Sequence, residues 1–198
     1  MTFIHATAEI SESARVGDGT LVWHYSQLRQ NCVIGKCVII GRNVYIGESV
    51  SIGDNSKIQN GALVYEPAIL ESGVFIGPGV ILTNDRFPRA VNTDGTQKSS
   101  DDWNPVGVMV RQGASIGAGS ICVAPIEIGA WALIAAGSTV TNNVPSFAVV
   151  AGSPAKRIGW VGKAGVPLSK KNDAEYFCPR TGAEYIEYDS NTLLEVLG

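Results

Sequence analysis

The sequence has few of the residues that build metal and redox sites. It contains two histidines and four cysteines in 198 residues, and no two cysteines stand in a Cys-x-x-Cys pair. A zinc site of the three-histidine kind needs one more histidine than the chain has. We therefore expect no metal cofactor, and this excludes a zinc-dependent carbonic anhydrase.

The chain also lacks a surplus of charge and a long apolar run. Its net charge is -3, which gives no electrostatic reason to bind nucleic acid. No apolar segment approaches the length that spans a bilayer, and the first residues, MTFIHATAEI, lack the basic and apolar regions of a signal peptide. We expect a cytoplasmic protein that binds neither nucleic acid nor membrane.

A six-residue period dominates the chain instead. Every sixth residue from Ile4 to Leu82 is aliphatic, and the fourth residue after each of them, as far as Ile76, is small or β-branched. The period breaks at Arg86 and resumes in a new phase from Val110 to Val140. Because the pattern returns, the interruption is an insertion within one structure and not a domain boundary.

A period of six predicts a parallel β-helix. A helix repeats its apolar residues about every 3.6 positions and an ordinary strand every two, whereas a short strand followed by a corner gives six. Three such units form a triangular coil of eighteen residues, and the glycines that follow many aliphatic positions fit crowded corners. We predict an all-β fold: a β-helix domain over 1–158, one long inserted loop over 83–109, and a short C-terminal extension over 159–198, folded as a hairpin. Cys32 and Cys122 occupy inward positions, which predicts packed thiols.

The root of the insertion carries the first candidate site. Residues eighteen apart lie one above the other, about 4.8 Å apart, so Asn84 is predicted directly above Glu66 on an outward face. The column continues downward through Glu48, Gln30 and Glu12, for which a solvated surface is the preferred interpretation.

The inserted loop carries two basic groups of its own. Long loops in compact domains tend to be functional. Arg86 and Arg89 could each bind a phosphate or a carboxylate through paired hydrogen bonds, so the loop is predicted to bind substrate.

Three stretches together resemble the bacterial nucleotide-sugar N-acetyltransferases: VWHYSQL near the N-terminus, VYEP with LESGVFIGPGVILTNDRFPR in the middle, and VVAGSPAKRIGWVGKAG after the last repeat. The sequence is most similar to the branch that acetylates UDP-2-acetamido-3-amino-2,3-dideoxy-D-glucuronate for surface polysaccharide (O-antigen, lipopolysaccharide) synthesis, and its CPRTG segment resembles that branch's tail. One departure is Pro67, where the pattern has glycine.

The resemblance implies a left-handed helix, a homotrimer and acetyl-CoA bound between neighbouring subunits. Lys156 and Arg157 would then bind the phosphates of CoA. Ala118 and Ala136, stacked eighteen residues apart, would let the pantetheine arm lie close to the backbone.

Within that family's chemistry, Asn84 is the candidate catalytic residue: its side-chain oxygen would accept a hydrogen bond from the attacking amine. Glu66 would either assist proton removal or hold Asn84. His24 is predicted roughly 16 Å below Asn84, too far for a general base. A structural or substrate-lining role is therefore expected for His24.

Several alternatives stay open at the level of sequence. The substrate could be a dTDP-3-amino-3,6-dideoxyhexose, because Arg86 or Arg89 could bind a uronate carboxylate or the diphosphate equally well. A non-catalytic trimeric scaffold is the alternative outside enzymology. The sequence leaves open the nucleotide, the position of the acetylated amine and the role of the tail.

Overall fold

The computed structural model describes residues 1–196 and has the architecture that the six-residue period predicts: a left-handed parallel β-helix with an additional antiparallel sheet. The strands before the insertion have two residues each: β1 Phe3–Ile4, β2 Glu9–Ile10, β3 Arg15–Val16, β4 Leu21–Val22, β5 Gln27–Leu28, β6 Val33–Ile34, β7 Ile39–Ile40, β8 Tyr45–Ile46, β9 Ser51–Ile52, β10 Lys57–Ile58, β11 Leu63–Val64, β12 Ile69–Leu70, β13 Phe75–Ile76 and β14 Ile81–Leu82. The strands after it are β15 Val108–Val110, β16 Ser115–Ile116, β17 Ile121–Cys122, β18 Ile126–Ile128, β19 Leu133–Ile134, β20 Thr139–Val140, β21 Ala148–Gly152, β22 Ala155–Trp160, β23 Ser169–Lys170, β24 Glu175–Phe177, β25 Glu184–Asp189 and β26 Thr192–Glu195.

Every third strand joins the same sheet, and this creates three flat faces. The first face runs from β1 through β4 to β21 and β22, the second from β2 to β20, and the third from β3 to β18. We call the turn between the first and second faces the first corner, and the turn between the second and third faces the second corner. Registers of eighteen residues, such as Leu63↔Ile81, confirm the predicted stacking.

The core is the column of inward residues that the period identifies. Ile46, Ile76 and Leu82 before the insertion, and Ile116 and Cys122 after it, are all fully buried. In each two-residue strand of the β-helix the first residue points outward and the second inward, so a single sequence position decides both burial and face. Cys32 is also buried, as predicted, and burial raises its pKa to about 11 and that of Cys122 to about 12.

Glycine follows many inward residues because consecutive coils approach closely there. A Cβ added at Gly117 would lie 2.5 Å from the backbone nitrogen of Ala136, and one at Gly77 would lie 2.7 Å from the backbone nitrogen of Ala118. Only a residue without a side chain leaves room for the next coil at these positions.

The insertion leaves the β-helix after β14 and returns at β15. Leu82 pairs with Cys122 across it, forty residues on, so the coils continue above the loop without a gap. The predicted range of 83–109 is two residues too long, because Val108 and Met109 pair with strands of the third face. The loop contains one short 3₁₀ helix, η1 Ser100–Asp102, capped by Ser99.

The chain leaves the coil through β21 and β22, which pair antiparallel and end the first face. Strands β23 to β26 form a separate four-stranded antiparallel sheet. The hairpin expected around CPRTG is the β24–β25 pair at its centre. The sheet is larger than a single hairpin because β23 and β26, too short to display an alternating pattern, extend it on both sides. Leu197 and Gly198 of the predicted extension lie outside the described residues.

In the part of the chain that the structure describes, no helix is long and apolar enough to cross a membrane.

Candidate active site

Asn84 and Glu66 form a hydrogen-bonded pair at the second corner, one coil apart. Asn84 Nδ2 donates to Glu66 Oε1 at 3.3 Å. The other carboxylate oxygen, Glu66 Oε2, is buried and has no hydrogen-bond partner within residues 1–196. It packs over Gly47, where a Cβ would overlap it. A buried carboxylate oxygen without a partner is costly in a folded protein and therefore marks a place where a ligand or a reaction can use it.

This hydrogen bond fixes which way the Asn84 amide points. Its nitrogen faces Glu66, so its oxygen faces away, and no hydrogen bond among the described residues reaches that oxygen. The site thus presents the Asn84 side-chain oxygen as a free hydrogen-bond acceptor, beside a Glu66 carboxylate of which only one oxygen accepts a hydrogen bond.

The backbone around Asn84 is held firmly although it lies at the root of a loop. Thr83 N donates to Cys122 O at 3.0 Å, and Thr83 Oγ1 accepts from Ala124 N at 3.0 Å. On the returning side of the loop, Val106 N donates to Asn84 O at 2.9 Å. Both ends of the insertion are therefore anchored to Asn84 or to its neighbour, which restrains the side chain that a reaction would use.

An open hollow of about 570 Å³ lies above the pair on the second corner. Arg86 lines it together with Thr141 and the residues from Val123 to Pro125. A second hollow, of about 400 Å³, adjoins it through Asn142 and Asn143, which line both. Lys156 and Arg157 line this second hollow. A continuous surface thus runs from the root of the loop to the basic pair at the end of the β-helix.

Arg157 is held by the C-terminal sheet. Its guanidinium lies 4.3 Å from the centre of the Trp160 ring, and its Nη2 is 3.6 Å from Glu187 Oε1. Tyr176 Oη donates to Glu187 Oε2 at 2.6 Å, and this bond raises the pKa of Tyr176. Sequence reasoning did not find Glu187, because β25 lies outside the repeat and carries no register that would relate it to Arg157.

The remaining predicted residues do not come together with Asn84 in one chain. His24 follows β4, three coils below the coil of β14, and its ring stacks on His5 at 3.4 Å between centroids. Ala118 and Ala136 stack as predicted, but they follow strands of the first face and so lie at the first corner. Arg89 donates from Nη1 to the carbonyl of Pro88, within the exposed loop.

Comparison with known proteins agrees with the fold. The family model described as bacterial transferase hexapeptide (six repeats) matches residues 13–48 and 49–84, and the model described as hexapeptide repeat of succinyl-transferase matches 106–142. Together these matches span more than half of the chain, which belongs to the hexapeptide-repeat transferase family.

Curated relatives include serine acetyltransferases. The one from Buchnera aphidicola is 40% identical over 108 residues, which covers 53% of this chain and 38% of the relative. Serine acetyltransferase 4 of Arabidopsis thaliana is 38% identical over 110 residues, which covers 54% of this chain and 30% of the relative. The chain thus spans only about a third of the length of the curated relatives that it matches.

Solved structures share the fold at low sequence identity. A hexapeptide-repeat acetyltransferase from Vibrio cholerae, complexed with acetyl-coenzyme A, has a TM-score of 0.55 and 20% identity over 65% of this chain and 70% of that one. The acetyltransferase domain of PglB from Neisseria gonorrhoeae has a TM-score of 0.52 and 21% identity over 80% of this chain and 58% of that one.

Proposed function

We propose that the protein is an acyltransferase that moves the acetyl group of acetyl-CoA to the 3-amino group of a UDP-linked 3-amino sugar. The proposed acceptor is UDP-2-acetamido-3-amino-2,3-dideoxy-D-glucuronate, an intermediate for surface polysaccharide. The observation that carries this proposal is the Glu66–Asn84 pair, whose free amide oxygen lies at the root of a loop containing Arg86. The curated relatives are acetyltransferases by name, which supports acetyl transfer.

The chemistry needs an oriented amine more than a strong base. The nitrogen lone pair attacks the thioester carbonyl carbon, the C–N bond forms and the C–S bond breaks. The CoA sulfur leaves as a thiolate and takes up the proton that the nitrogen loses. Orienting two reactants lowers a barrier by about 7 to 11 kcal/mol, whereas a general base contributes about 3 to 5 kcal/mol. Asn84 accepts a hydrogen bond from the amine and aligns its lone pair, and Glu66 fixes the amide that does so.

Acetyl-CoA is proposed to lie along the two adjoining hollows of one chain, with Ala118 and Ala136 of a neighbouring copy covering it from the other side. Lys156 and Arg157 bind its phosphates, and the thioester reaches down toward Arg86 and the Asn84 corner. Basic and amide side chains line these hollows, which suits an anionic, strongly hydrated ligand.

Serine O-acetylation is the second candidate, because the curated relatives are serine acetyltransferases. A hydroxyl must lose its proton as it attacks, so this reaction depends on a base more than amine acetylation does. The only two histidines in the sequence are His5 and His24, stacked on each other in the first coils. The absence of a histidine beside Asn84 in the same chain favours an amine acceptor.

The site is proposed to be shared between copies in a homotrimer. Asn84 lies at the second corner and Ala118 and Ala136 at the first, so these residues can meet only if another copy packs alongside. Mixing subunits tests this: Asn84→Ala and Ala136→Trp chains, each inactive alone, should regain about a quarter of wild-type activity when reassembled together, since one random pairing in four is intact. Recovery would not occur if each site were contained in one chain.

The direct test measures thiol release from acetyl-CoA with three acceptors in parallel: UDP-2-acetamido-3-amino-2,3-dideoxy-D-glucuronate, dTDP-3-amino-3,6-dideoxyglucose and L-serine. Preference for the first supports the proposal, while preference for the second or third identifies the deoxysugar or serine reaction. Asn84→Ala is expected to lower kcat by about 100-fold or more, and His24→Ala to leave it within a few-fold. Equal losses would exclude Asn84 as the orienting group, and no release with any acceptor would favour a scaffold.

A further inference from the structure

The C-terminal sheet touches the proposed cofactor surface at one defined place. Asn191, in the turn between β25 and β26, lines the same hollow as Lys156 and Arg157. Glu187, on β25, is paired with Arg157 itself. Two residues of the tail thus reach a surface that the β-helix alone would leave open on one side.

Arg157 is held by two neighbours. Its guanidinium lies over the ring of Trp160, which is only 3% exposed, and its Nη2 lies beside Glu187, whose side chain is 19% exposed. The 3.6 Å separation from Glu187 is an ion pair and too long for a hydrogen bond. Within residues 1–196 the Arg157 side chain donates no hydrogen bond, so its N–H groups remain available to a ligand.

Glu187 is itself held in place by Tyr176, whose hydroxyl donates to its second oxygen at 2.6 Å. The chain of contacts therefore runs from β24 through β25 to the guanidinium on β22. Each link removes rotational freedom from a long side chain that would otherwise have to be ordered when a ligand binds.

We infer that the C-terminal sheet is part of the acetyl-CoA site. Glu187 and Tyr176 are positioning residues that hold Arg157 against Trp160, so that its free N–H groups bind a phosphate of CoA, and Asn191 closes the far side of the hollow. This inference rests on the proposed function for the identity of the ligand. It assigns to the tail a role in binding the phosphate end of the cofactor and none in the chemical step.

The test is the affinity of the full-length protein for CoA, measured by calorimetry, together with kcat and KM for acetyl-CoA. Glu187→Gln retains an acceptor for Tyr176 but loses the charge that holds Arg157. We expect it to raise the Kd for CoA by about twofold to tenfold, the range that corresponds to ordering one long side chain on binding, with kcat unchanged. Tyr176→Phe should act in the same direction with a smaller effect.

A matched control lies on the same strand. Glu184 also forms an ion pair, with Lys171 at 2.8 Å, but it does not line the hollow. Glu184→Gln should therefore leave the Kd for CoA unchanged. In an Arg157→Ala variant, Glu187→Gln should not change the Kd for CoA any further, because Glu187 acts on CoA binding only by positioning the Arg157 guanidinium. Parallel titrations with dephospho-CoA and pantetheine identify the phosphate that Arg157 binds. If Glu187→Gln still raises the Kd for dephospho-CoA but not that for pantetheine, Arg157 binds the pyrophosphate. If it raises neither, Arg157 binds the 3′-phosphate.

The outcomes separate this inference from the proposed function. Unchanged or tighter CoA binding by Glu187→Gln overturns the inference while acetyl transfer stands, and tighter binding would mean that Glu187 competes with the phosphate. CoA binding that depends on Glu187, without acetyl transfer to any acceptor, keeps the inference and overturns the proposed function. A wild-type protein that binds no CoA overturns both.

Discussion

Replacing Asn84 by aspartate tests the Glu66–Asn84 pair with almost no change in shape. The substitution turns a donor that faces Glu66 Oε1 at 3.3 Å into a second carboxylate. Two unit charges at that distance repel by about 5 kcal/mol at an effective dielectric constant of about 20, and by about 1 kcal/mol in bulk water. Because the pair is half-buried, the repulsion should fall between these values and push the side chain out of its aligned position.

The expected loss of kcat at pH 8 is about 10- to 1000-fold, since each 1.4 kcal/mol corresponds to a factor of ten. Repulsion also raises the pKa of the introduced carboxyl, so that acidification returns a proton to the pair. The protonated group can again donate to Glu66 while its carbonyl oxygen faces the amine. The ratio of wild-type to variant kcat should therefore fall as the pH is lowered from 8.5 to 6.

Thiol release at saturating acetyl-CoA and acceptor gives this ratio at each pH. The double variant with Glu66→Gln removes the repulsion and should recover part of the lost activity at pH 8. Asn60→Asp is the matched control, because Asn60 Oδ1 accepts from Arg42 N at 2.8 Å and a carboxylate can do the same. A single variant as active as wild type at pH 8, or a ratio independent of pH, would refute the role of the pair.

Three further predictions concern the scaffold. Gly117→Ala should lower the free energy of unfolding in urea by about 3 kcal/mol or more, because its Cβ would meet the Ala136 backbone at 2.5 Å. Gly119 is the control: it has φ +68° and no atom within 4 Å of an added Cβ, so Gly119→Ala should lower the free energy of unfolding by only about 1 kcal/mol. Equal losses in the two variants would contradict close packing at Gly117 as the cause. Arg111→Leu should lower the urea midpoint at pH 7, since Arg111 bridges Glu71 and Glu127 across the coils. Hydrogen bonds from Arg111 and from Gln112 N lower the pKa of Glu71. The difference in urea midpoint between wild type and Arg111→Leu should therefore be largest above the ordinary pKa of Glu and shrink as the pH falls through the lowered pKa. A difference that does not change with pH would exclude the ion pair as its cause. One thiol per native chain should react quickly with Ellman's reagent and vanish in Cys37→Ser, because Cys37 is exposed and the other three cysteines are buried; rapid reaction of a second thiol would contradict that burial.

Much of the fold could be predicted because one short period determines several properties at once. In a coil of three equal sides, the same position sets whether a residue is buried, which face it lies on and how high it stands. This is why the inward column through Leu82 and Val110, and the stacking of Asn84 on Glu66, followed from counting. It also explains why the insertion was found from its first residues, since Arg86 occupies a position that burial would forbid.

The rest of the site could not be predicted because it depends on contacts without a period. Strand β25 pairs antiparallel with β24 and β26, and no spacing in the sequence relates Glu187 to Arg157. Likewise, the free acceptor on Asn84 results from the direction of one hydrogen bond, which requires the position of Glu66 Oε1 and not only its place in the column. Val108 and Met109 were assigned to the loop because the new phase of the period becomes visible only at Val110.

The coil geometry also bears on the proposal that the site is shared between chains. Ala118 stands two thirds of a coil above Asn84, or roughly 3 Å, and Ala136 one coil higher. The two alanines proposed to line the pantetheine arm therefore stand roughly 3 to 8 Å above Asn84, but a full face of the triangle separates them from it. A ligand that used both within one chain would have to cross the outward side chains of β17 and β20 on the second face. A copy packed side by side with parallel axis would instead bring its first corner against the second corner of its neighbour at nearly the same height. The similar heights of Asn84 at the second corner and of Ala118 and Ala136 at the first therefore favour a site shared between chains. The subunit-mixing experiment tests this sharing.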